Sequence, residues 1–241
     1  MAYQSVFKRY EIKFLLDGQQ YAAVLAAVEQ HMTTDRYGRT TICNIYYDTE
    51  NYRMIRTSLE KPVYKEKLRL RSYGLAEGDA PIFVELKKKY QGIVYKRRLS
   101  IPEQAAKTWL SGGAAPEDSQ IAREITYVRD YYKDLKPRMY VSYSRVAWFG
   151  KEDKDLRITF DKDIVCRQEN LSLSTAPGGT PVLGSDKILM EVKTPKAIPL
   201  WLTQVLTQNR IYKTSFSKYG TAYVKLLKGE LTDGNTSSGD L

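Results

Sequence analysis

Five stretches of the chain alternate charged and apolar residues with a period of two. They are Phe7–Leu16, Lys67–Ser72, Phe83–Lys87 with its continuation Val94–Ile101, Leu156–Asp161 and Ile188–Lys193. Successive side chains of a β-strand point to opposite faces of the sheet. Each stretch therefore predicts a strand with a charged row on one side. A sixth run, Val141–Ala147, places Tyr143 and Arg145 on one face.

The charged rows are mostly basic, with single carboxylates between the basic residues. The rows are Arg9, Glu11 and Lys13; Arg69 and Arg71; Glu85 and Lys87; Lys96 and Arg98; Arg157, Thr159 and Asp161; Glu191 and Lys193. One solvated face is common in antiparallel sheets, so any single row is consistent with a surface in water. The repetition also suits a closed sheet around a polyanion and a metal, because Arg matches phosphate oxygens and carboxylates bind Mg²⁺ or Mn²⁺. The period alone leaves open which face is inside.

Composition adds a preference for acidic partners. Lys and Arg number 38 against 28 Asp and Glu, which gives a formal charge of +10. Such an excess favours nucleic acid, anionic membranes or phosphate-rich ligands. Cys43 and Cys166 form no CxxC pair, which is typical of a reduced cytoplasmic protein. No segment has the length and apolarity of a signal peptide or a membrane span, so we expect a cytoplasmic location and no membrane span.

Helical patterns fall between the predicted strands. The predicted helices are Gly18–His31, Thr49–Leu59, Glu103–Leu110, Ser119–Tyr132, Ala197–Asn209 and Ser215–Leu227. This order predicts an α+β fold. Residues 1–228 show no boundary between two cores and are predicted to form a single domain, followed by a disordered tail at 229–241. The segment Leu171–Asp186 is rich in Ser, Thr, Pro and Gly, which indicates an exposed loop.

Several familiar catalytic sets are missing. His31 is the one histidine, which argues against a His-rich metal site and against a Ser-His-Asp triad. Gly179–Gly184 has the GxxxxG spacing, but Ser185 follows where a P-loop needs Lys. Phosphoryl transfer needs neither set, because it depends largely on positioning and on charge stabilisation. An anionic phosphate acceptor also needs no protein base.

The segment Lys213–Gly220 places hydroxyls and a lysine at the start of the last predicted helix. Free backbone N–H groups at a helix start attract phosphate. Ordinary capping by Thr214 or Ser215 explains the same residues and is the favoured interpretation.

Six short motifs occur in order along the chain: Arg9–Lys13, Ile45–Thr49, Leu68–Arg71, Val84–Lys87, Leu189–Lys193 and Phe216–Tyr219. Together they resemble the polyphosphate polymerase domain of the vacuolar transporter chaperone (VTC) complex, in its bacterial stand-alone form. That domain belongs to the triphosphate tunnel metalloenzymes, or CYTH superfamily. The resemblance runs from about residue 5 to residue 227. It implies an antiparallel β-barrel of about eight strands that forms a charged tunnel, with helices packed outside.

The resemblance also implies a reaction, which is transfer of the γ-phosphate of ATP to a growing polyphosphate chain with Mn²⁺ or Mg²⁺. It assigns catalytic contacts with phosphate to Arg69, Arg71, Lys87, Arg145 and Lys218. It assigns substrate binding to Arg9, Lys96, Tyr143 and Ser217, and metal binding to Glu191. Strand parity adds Lys13 and Arg157 as predicted substrate-binding residues and Glu11 and Glu85 as predicted metal ligands. Strand parity places Glu11, Lys13, Glu85, Arg157 and Asp161 on the tunnel side. The implied partners are ATP and polyphosphate, without nucleic acid, and a membrane partner for export stays open.

One departure from the family pattern bears on the reaction. Hydrolytic relatives usually open with Glu-x-Glu-x-Lys, whereas this chain has Arg9-x-Glu11-x-Lys13. The lost carboxylate and the added basic residue favour chain binding over hydrolysis. Two alternatives stay open: an inorganic or nucleoside triphosphatase, and a non-catalytic module that binds polyphosphate or another polyanion.

Overall fold

The structure is a computed structural model that describes residues 10–91 and 93–228, the last of these without its side chain. Arg9 and the tail predicted at 229–241 lie outside the described residues. The strands are β1 (Tyr10–Leu16), β2 (Met32–Asp48), β3 (Tyr64–Tyr73), β4 (Pro81–Tyr90), β5 (Ile93–Pro102), β6 (Lys136–Gly150), β7 (Arg157–Arg167), β8 (Thr180–Pro181), β9 (Ile188–Thr194) and β10 (Lys213–Thr214). The helices are α1 (Gly18–His31), α2 (Arg53–Leu59), α3 (Glu103–Leu110), α4 (Gln120–Tyr132), α5 (Leu200–Gln208) and α6 (Lys218–Tyr223), which continues into a π-helical turn, Val224–Lys228.

All the described strands belong to one antiparallel sheet. Its order is β10, β1, β9, β7, β6, β2, β3, β4, β5, with β8 paired to β7. Within the described residues, the backbone ladder ends at β10 on one side and at β5 on the other. Lys87 Nζ on β4 nevertheless lies 3.4 Å from Glu11 Oε2 on β1. Because five strands separate β1 from β4 in the ladder, this contact requires a strongly curved, tunnel-like sheet. The predicted α+β class with a charged antiparallel tunnel is confirmed.

The apolar rows pack beneath helices on the convex face. Leu68, Leu70, Val84 and Leu86 share a core with Trp109 of α3 and Ile125 of α4. Ile158, Phe160, Met190 and Val192 share a second core with α1 and α5. Burying apolar surface contributes roughly 25 cal/mol per Å², so these rows determine which face turns toward the helices. The charged rows consequently lie on the concave face, which the two-residue period alone did not reveal.

The predicted helices have the right places, and two have the right bounds. For α1, the Asp17 carboxylate accepts from Gln20 N at 2.8 Å, and the Gln20 side chain accepts from Asp17 N at 3.1 Å, a capping box. The start predicted for α2 at Thr49 is wrong. Thr49 instead lies in a turn and accepts from Arg53 N at 2.9 Å through its hydroxyl. Tyr52 ends this turn with a left-handed φ of 57°, which begins the helix four residues later than predicted.

The last helix, α6, differs from α1, α3, α4 and α5 in its position. Tyr219 and Ala222 pack with Tyr46, Tyr143 and Leu189, so α6 covers the apolar end of the concave face. The predicted cap is wrong, because Thr214 lies in β10 and Ser217 caps the helix by accepting from Gly220 N at 3.0 Å. Among the described helices, none combines the length and apolarity needed to cross a membrane.

Candidate functional site

The charged rows meet on the concave face, where carboxylates lie among cationic side chains. The first group, the Glu85 cluster, consists of Glu85, Arg69, Arg71, Lys96 and Arg98. Glu85 Oε2 accepts from Arg69 Nη2 at 2.7 Å, and Glu85 Oε1 lies 2.7 Å from Lys96 Nζ. Arg98 Nε donates to Glu85 Oε1 at 2.7 Å, and Arg71 Nε lies 3.7 Å from Glu85 Oε2. The register explains the cluster, since Arg69 and Arg98 lie directly opposite Glu85 on β3 and β5.

Electrostatics fixes the charge of Glu85. The residue is 1% exposed, and this burial raises its pKa, but Arg69, Arg71, Lys96 and Arg98 lower the pKa well below its ordinary value. For Lys96 the balance is different, because burial lowers its pKa to about 8 against the attraction of Glu85. Glu85 is therefore an anion that holds several cations in place.

Two further contacts orient the arginines of β3. Arg69 Nη1 donates to the Tyr46 hydroxyl at 3.0 Å. Arg71 Nε donates to Asn44 Oδ1 at 2.9 Å, and its Nη2 donates to the Tyr143 hydroxyl at 3.3 Å. Both partners on β2 lie directly opposite their arginines. These contacts hold both guanidinium groups toward the concave face.

The second group, the Asp161–Glu191 cluster, consists of these two carboxylates with Arg145 and Lys218. Arg145 binds Asp161 in a bidentate way, with distances of 2.6 and 2.7 Å. Lys218 Nζ lies 2.6 Å from Asp161 Oδ2 and 2.9 Å from Glu191 Oε1. Arg145 Nη2 is also 3.4 Å from Glu191 Oε2. The cluster brings together β6, β7, β9 and α6.

The cations of this cluster keep Glu191 ionised. Burial raises the pKa of Glu191, but Lys218 and Arg145 lower it well below its ordinary value. For Lys218 the two effects are reversed. Burial lowers its pKa, but Glu191 and Asp161 raise that pKa above its ordinary value. Both partners are consequently charged at neutral pH.

Tyr143 joins the two clusters. Its hydroxyl accepts from Arg71 of the Glu85 cluster. The Arg145 guanidinium carbon lies 5.1 Å and Lys218 Nζ 4.5 Å from the centre of its ring, which are cation–π distances. Burial raises the pKa of Tyr143, but Arg71, Arg145 and Lys218 outweigh it and lower that pKa. The structure thus brings Arg69, Arg71, Arg145, Lys218 and Tyr143 into one continuous surface.

A third group lies where β1 approaches β3 and β4, and we call it the seam: Glu11, Lys13, Lys67, Lys87 and Ser217. Lys13 Nζ lies 3.2 Å from Glu11 Oε1 and donates to the Phe216 carbonyl at 2.8 Å. Lys67 Nζ donates to Ser217 Oγ at 2.8 Å. Burial raises the pKa of Glu11, but Lys87 and Lys13, among other charges, lower it to about 2. Side-chain contacts therefore connect β1 with β4, although these two strands share no backbone ladder.

Arg157, also predicted to bind substrate, lies apart from these three groups. Arg157 lies at the exposed end of its row, with its guanidinium carbon 4.9 Å from the centre of the Phe149 ring. Three tunnel-facing cations were not predicted as site residues: Lys67, Arg98 and Lys193. Arg98 and Lys193 lie in the charged rows, and Lys67 has the parity of Arg69, so strand periodicity carried a signal for all three. Lys193 Nζ is 3.9 Å from Glu191 Oε2.

The carboxylates allow a test of the predicted metal. In the part of the chain that the structure describes, no group of three or more His, Cys, Asp and Glu side chains forms a metal site. Glu11 and Glu191, however, are diagonal neighbours on the paired strands β1 and β9. Magnesium is usually held by one or two carboxylates together with substrate phosphates. This pair supplies the two carboxylates, and each of them, like Glu85, lies among cationic side chains.

Comparisons with known proteins agree with this architecture. The family model of the VTC domain matches residues 8–227. A candidate adenylate cyclase from Bacillus halodurans has a similar structure, with a TM-score of 0.55 and 14% identity, over 89% of this chain and 96% of that chain. The candidate adenylyl cyclase HpAC1 from Hippeastrum, described as having a dominant triphosphatase activity, has a TM-score of 0.53 and 16% identity, over 90% and 97%. These similarities show a shared fold. No curated protein sequence matches the chain.

Proposed function

The chain belongs to the VTC domain family, and from this premise we propose that it is a polyphosphate polymerase that transfers the γ-phosphate of ATP to a polyphosphate chain. One observation carries the proposal. Basic side chains from β3, β5, β6 and α6 converge on the concave face and are held there by Glu85, Asp161 and Glu191. Such a surface suits a linear polyanion, because Arg forks and Lys ammonium groups both bind phosphate oxygens.

The proposed binding roles follow from the contacts. Arg69 and Arg71 are oriented by Glu85, Tyr46 and Asn44, so their guanidinium groups are preorganised for phosphate. We assign binding of the triphosphate and of the chain to these arginines together with Lys87 and Lys96. Lys13, Arg157 and Ser217 would extend this binding, and Arg9, outside the described residues, stays a predicted binding residue.

In the proposed reaction, a terminal phosphate oxygen of the chain attacks the γ-phosphorus of ATP. The bond between that phosphorus and the oxygen bridging to the β-phosphate breaks, ADP leaves, and the chain is longer by one phosphate. The attacking oxygen is already anionic, so no side chain has to remove a proton. Arg145 and Lys218 lie side by side above Tyr143, and we propose that they stabilise the charge on the transferred phosphoryl group.

We propose that Glu191 and Glu11 hold the divalent metal, Mn²⁺ or Mg²⁺, together with phosphate oxygens. A bound metal would neutralise part of the negative charge on the phosphates. Lys13 and Lys218 lie 3.2 and 2.9 Å from these carboxylates, and we propose that they bind the same phosphate oxygens. Glu85, also predicted to bind metal, is 1% exposed and has Arg69 and Arg98 directly opposite it on the two neighbouring strands, so we propose that it positions basic side chains instead.

Two further functions compete with polymerisation. A triphosphatase is favoured by the fold shared with HpAC1, the Hippeastrum protein described as having a triphosphatase activity. A polyanion-binding module is favoured by the formal charge of +10.

We propose that the reaction takes place in the cytoplasm, because the two cysteines, Cys43 and Cys166, are buried and form no disulfide.

Incubation of the purified protein with ATP and Mn²⁺ tests these functions together. A polymerase yields long polyphosphate, visible on a gel, with one ADP released for each phosphate added. Orthophosphate without chain growth would reject polymerisation in favour of hydrolysis. Binding of tripolyphosphate without turnover would support the non-catalytic module. The Glu191→Gln variant is the control, since metal-dependent turnover should disappear in it.

A further inference from the structure

Lys67 is a cation of the seam without a carboxylate partner among the described residues. Its Nζ donates to Ser217 Oγ at 2.8 Å. The neighbouring cations differ, because Lys13, Lys87 and Arg69 each form an ion pair with a glutamate. The side chain of Lys67 is partly buried on the concave face, in the row that carries Arg69. A buried ammonium group is unfavourable unless an anion compensates for its charge.

The charged side chains that act most strongly on Lys67 are all basic. Lys87 lies directly opposite on β4, and Lys13 faces it from β1. Lys65 and Arg69 flank it on β3 itself. Burial, and after it Lys87 and Lys13, lower the pKa of Lys67 to about 7. The carboxylate of Glu11 is paired with Lys87 and Lys13.

Ser217 adds a hydrogen-bond donor to this position. Its Oγ accepts from Lys67 Nζ and also from Gly220 N, at 2.8 and 3.0 Å. A serine hydroxyl has two acceptor positions and one O–H donor. Since both acceptor positions are occupied, the O–H of Ser217 is left to donate. An anion at the seam therefore meets an N–H of Lys67 and the O–H of Ser217 together.

We propose that Lys67 and Ser217 bind one phosphate of the chain at the seam, as a site additional to the arginines of the Glu85 cluster. This inference rests on the proposed function, because it names a further residue for the same phosphate chain. The bound phosphate supplies the counter-anion that Lys67 lacks. Binding also favours the ammonium form of Lys67, so proton uptake should accompany binding above about pH 7.

Calorimetric titration of the full chain with tripolyphosphate tests the inference. Titrations at about pH 8 in two buffers of different ionisation enthalpy give the number of protons taken up. In Lys67→Met we expect affinity to fall by about tenfold, the effect of one lost charge-assisted hydrogen bond. In Lys67→Arg we expect an affinity close to that of the wild type. Proton uptake should be smaller than in the wild type, because a guanidinium group does not titrate near this pH. Lys154→Met, in the exposed loop between β6 and β7, is the control for charge.

The outcomes separate the two proposals. If the wild-type chain does not bind tripolyphosphate, the proposed function fails, and the inference fails with it. If the wild type binds and Lys67→Met binds equally well, or no worse than Lys154→Met, the inference alone is overturned. Thermal melting of each variant shows whether it folds, and restored binding in Lys67→Arg excludes a loss caused by misfolding. If Lys67→Arg took up as many protons as the wild type, Lys67 would not be the group that is protonated on binding, which would contradict the inference.

Discussion

Tyr219 donates a hydrogen bond from its hydroxyl to Asp48 Oδ2 at 2.9 Å, and this bond ties α6 to the end of β2. Asp48 is fully buried and also accepts from three backbone N–H groups, those of Thr49, Met54 and Ile55, at 2.8 to 3.0 Å. The Tyr219 ring stacks on Tyr46 with centroids 4.5 Å apart. Both contacts hold Tyr219, and with it the neighbouring Lys218, against β2.

The change Tyr219→Phe should lower the free energy of unfolding by about 1 to 3 kcal/mol, because one oxygen of a buried carboxylate loses a donor. The aromatic stack is retained, so the effect reports the hydrogen bond alone. Urea unfolding measures it. Tyr212→Phe is a matched control, since Tyr212 is 78% exposed and should change little. Equal stability of the two variants would show that the bond to Asp48 does not anchor α6.

Glu85→Gln should destabilise the folded chain by about 3 to 5 kcal/mol, because it leaves buried cations without their shared anion. The residue is 1% exposed and lies against Arg69, Arg71, Lys96 and Arg98, which then repel one another. Added tripolyphosphate should restore more stability to this variant than to the wild type, because the ligand supplies the missing negative charge. Melting temperatures with and without tripolyphosphate measure this difference. An equal increase in both proteins would contradict the role given to Glu85.

Much of the fold could be predicted from the two-residue period, because one strand face had to be apolar and the other charged. The bounds of α1 were correct because its capping box coincides with its periodicity. Those of α3 were correct because the helix lies between Pro102 and the glycine-containing break that begins at Ser111. Strand β2 runs from Met32 to Asp48 and is not among the stretches that the period of two predicts. Its first half, rich in Thr and charged residues, lacks a regular alternation and is fixed by pairing with β6. Pairing between distant segments leaves no local signal.

The candidate site shows the same limit. Parity placed Arg69, Arg71, Glu85 and Glu191 on one face, and the structure brings them to the concave surface. The partners of each side chain could not be predicted, because they depend on register and curvature. Lys67 illustrates this point, since the only described hydrogen bond of its side chain is to Ser217, 150 residues later in the chain.

Glu191→Gln should abolish metal-dependent turnover while the protein still binds tripolyphosphate. The variant removes a carboxylate proposed to hold the metal, but it leaves Arg145, Lys218 and Lys13 in place with less neutralisation of their charge. Affinity for tripolyphosphate without metal should therefore stay the same or increase. Product analysis and calorimetry on the same preparation give both values. Full turnover in the variant would remove Glu191 from the metal site.

Acidification should weaken the fold through the carboxylates of the concave face, and Glu11 provides the test. Burial raises its pKa, but Lys87 and Lys13, among other charges, lower it to about 2 from an ordinary value of 4.5. A carboxyl with a lowered pKa binds fewer protons in the folded state than in the unfolded state. Its contribution to stability is therefore complete above about pH 4.5 and is lost as the pH falls toward about 2.

In Glu11→Gln this contribution is absent, so the free energy of unfolding should fall less steeply with acidification than in the wild type. Urea unfolding at several values between about pH 5 and pH 3, at constant ionic strength, measures the two slopes. Glu152→Gln is the control, because Glu152 lies exposed in the loop after β6. Parallel slopes for the wild type and Glu11→Gln would mean that Lys87 and Lys13 do not hold the Glu11 carboxylate in its charged form, and that the seam is not closed by these ion pairs.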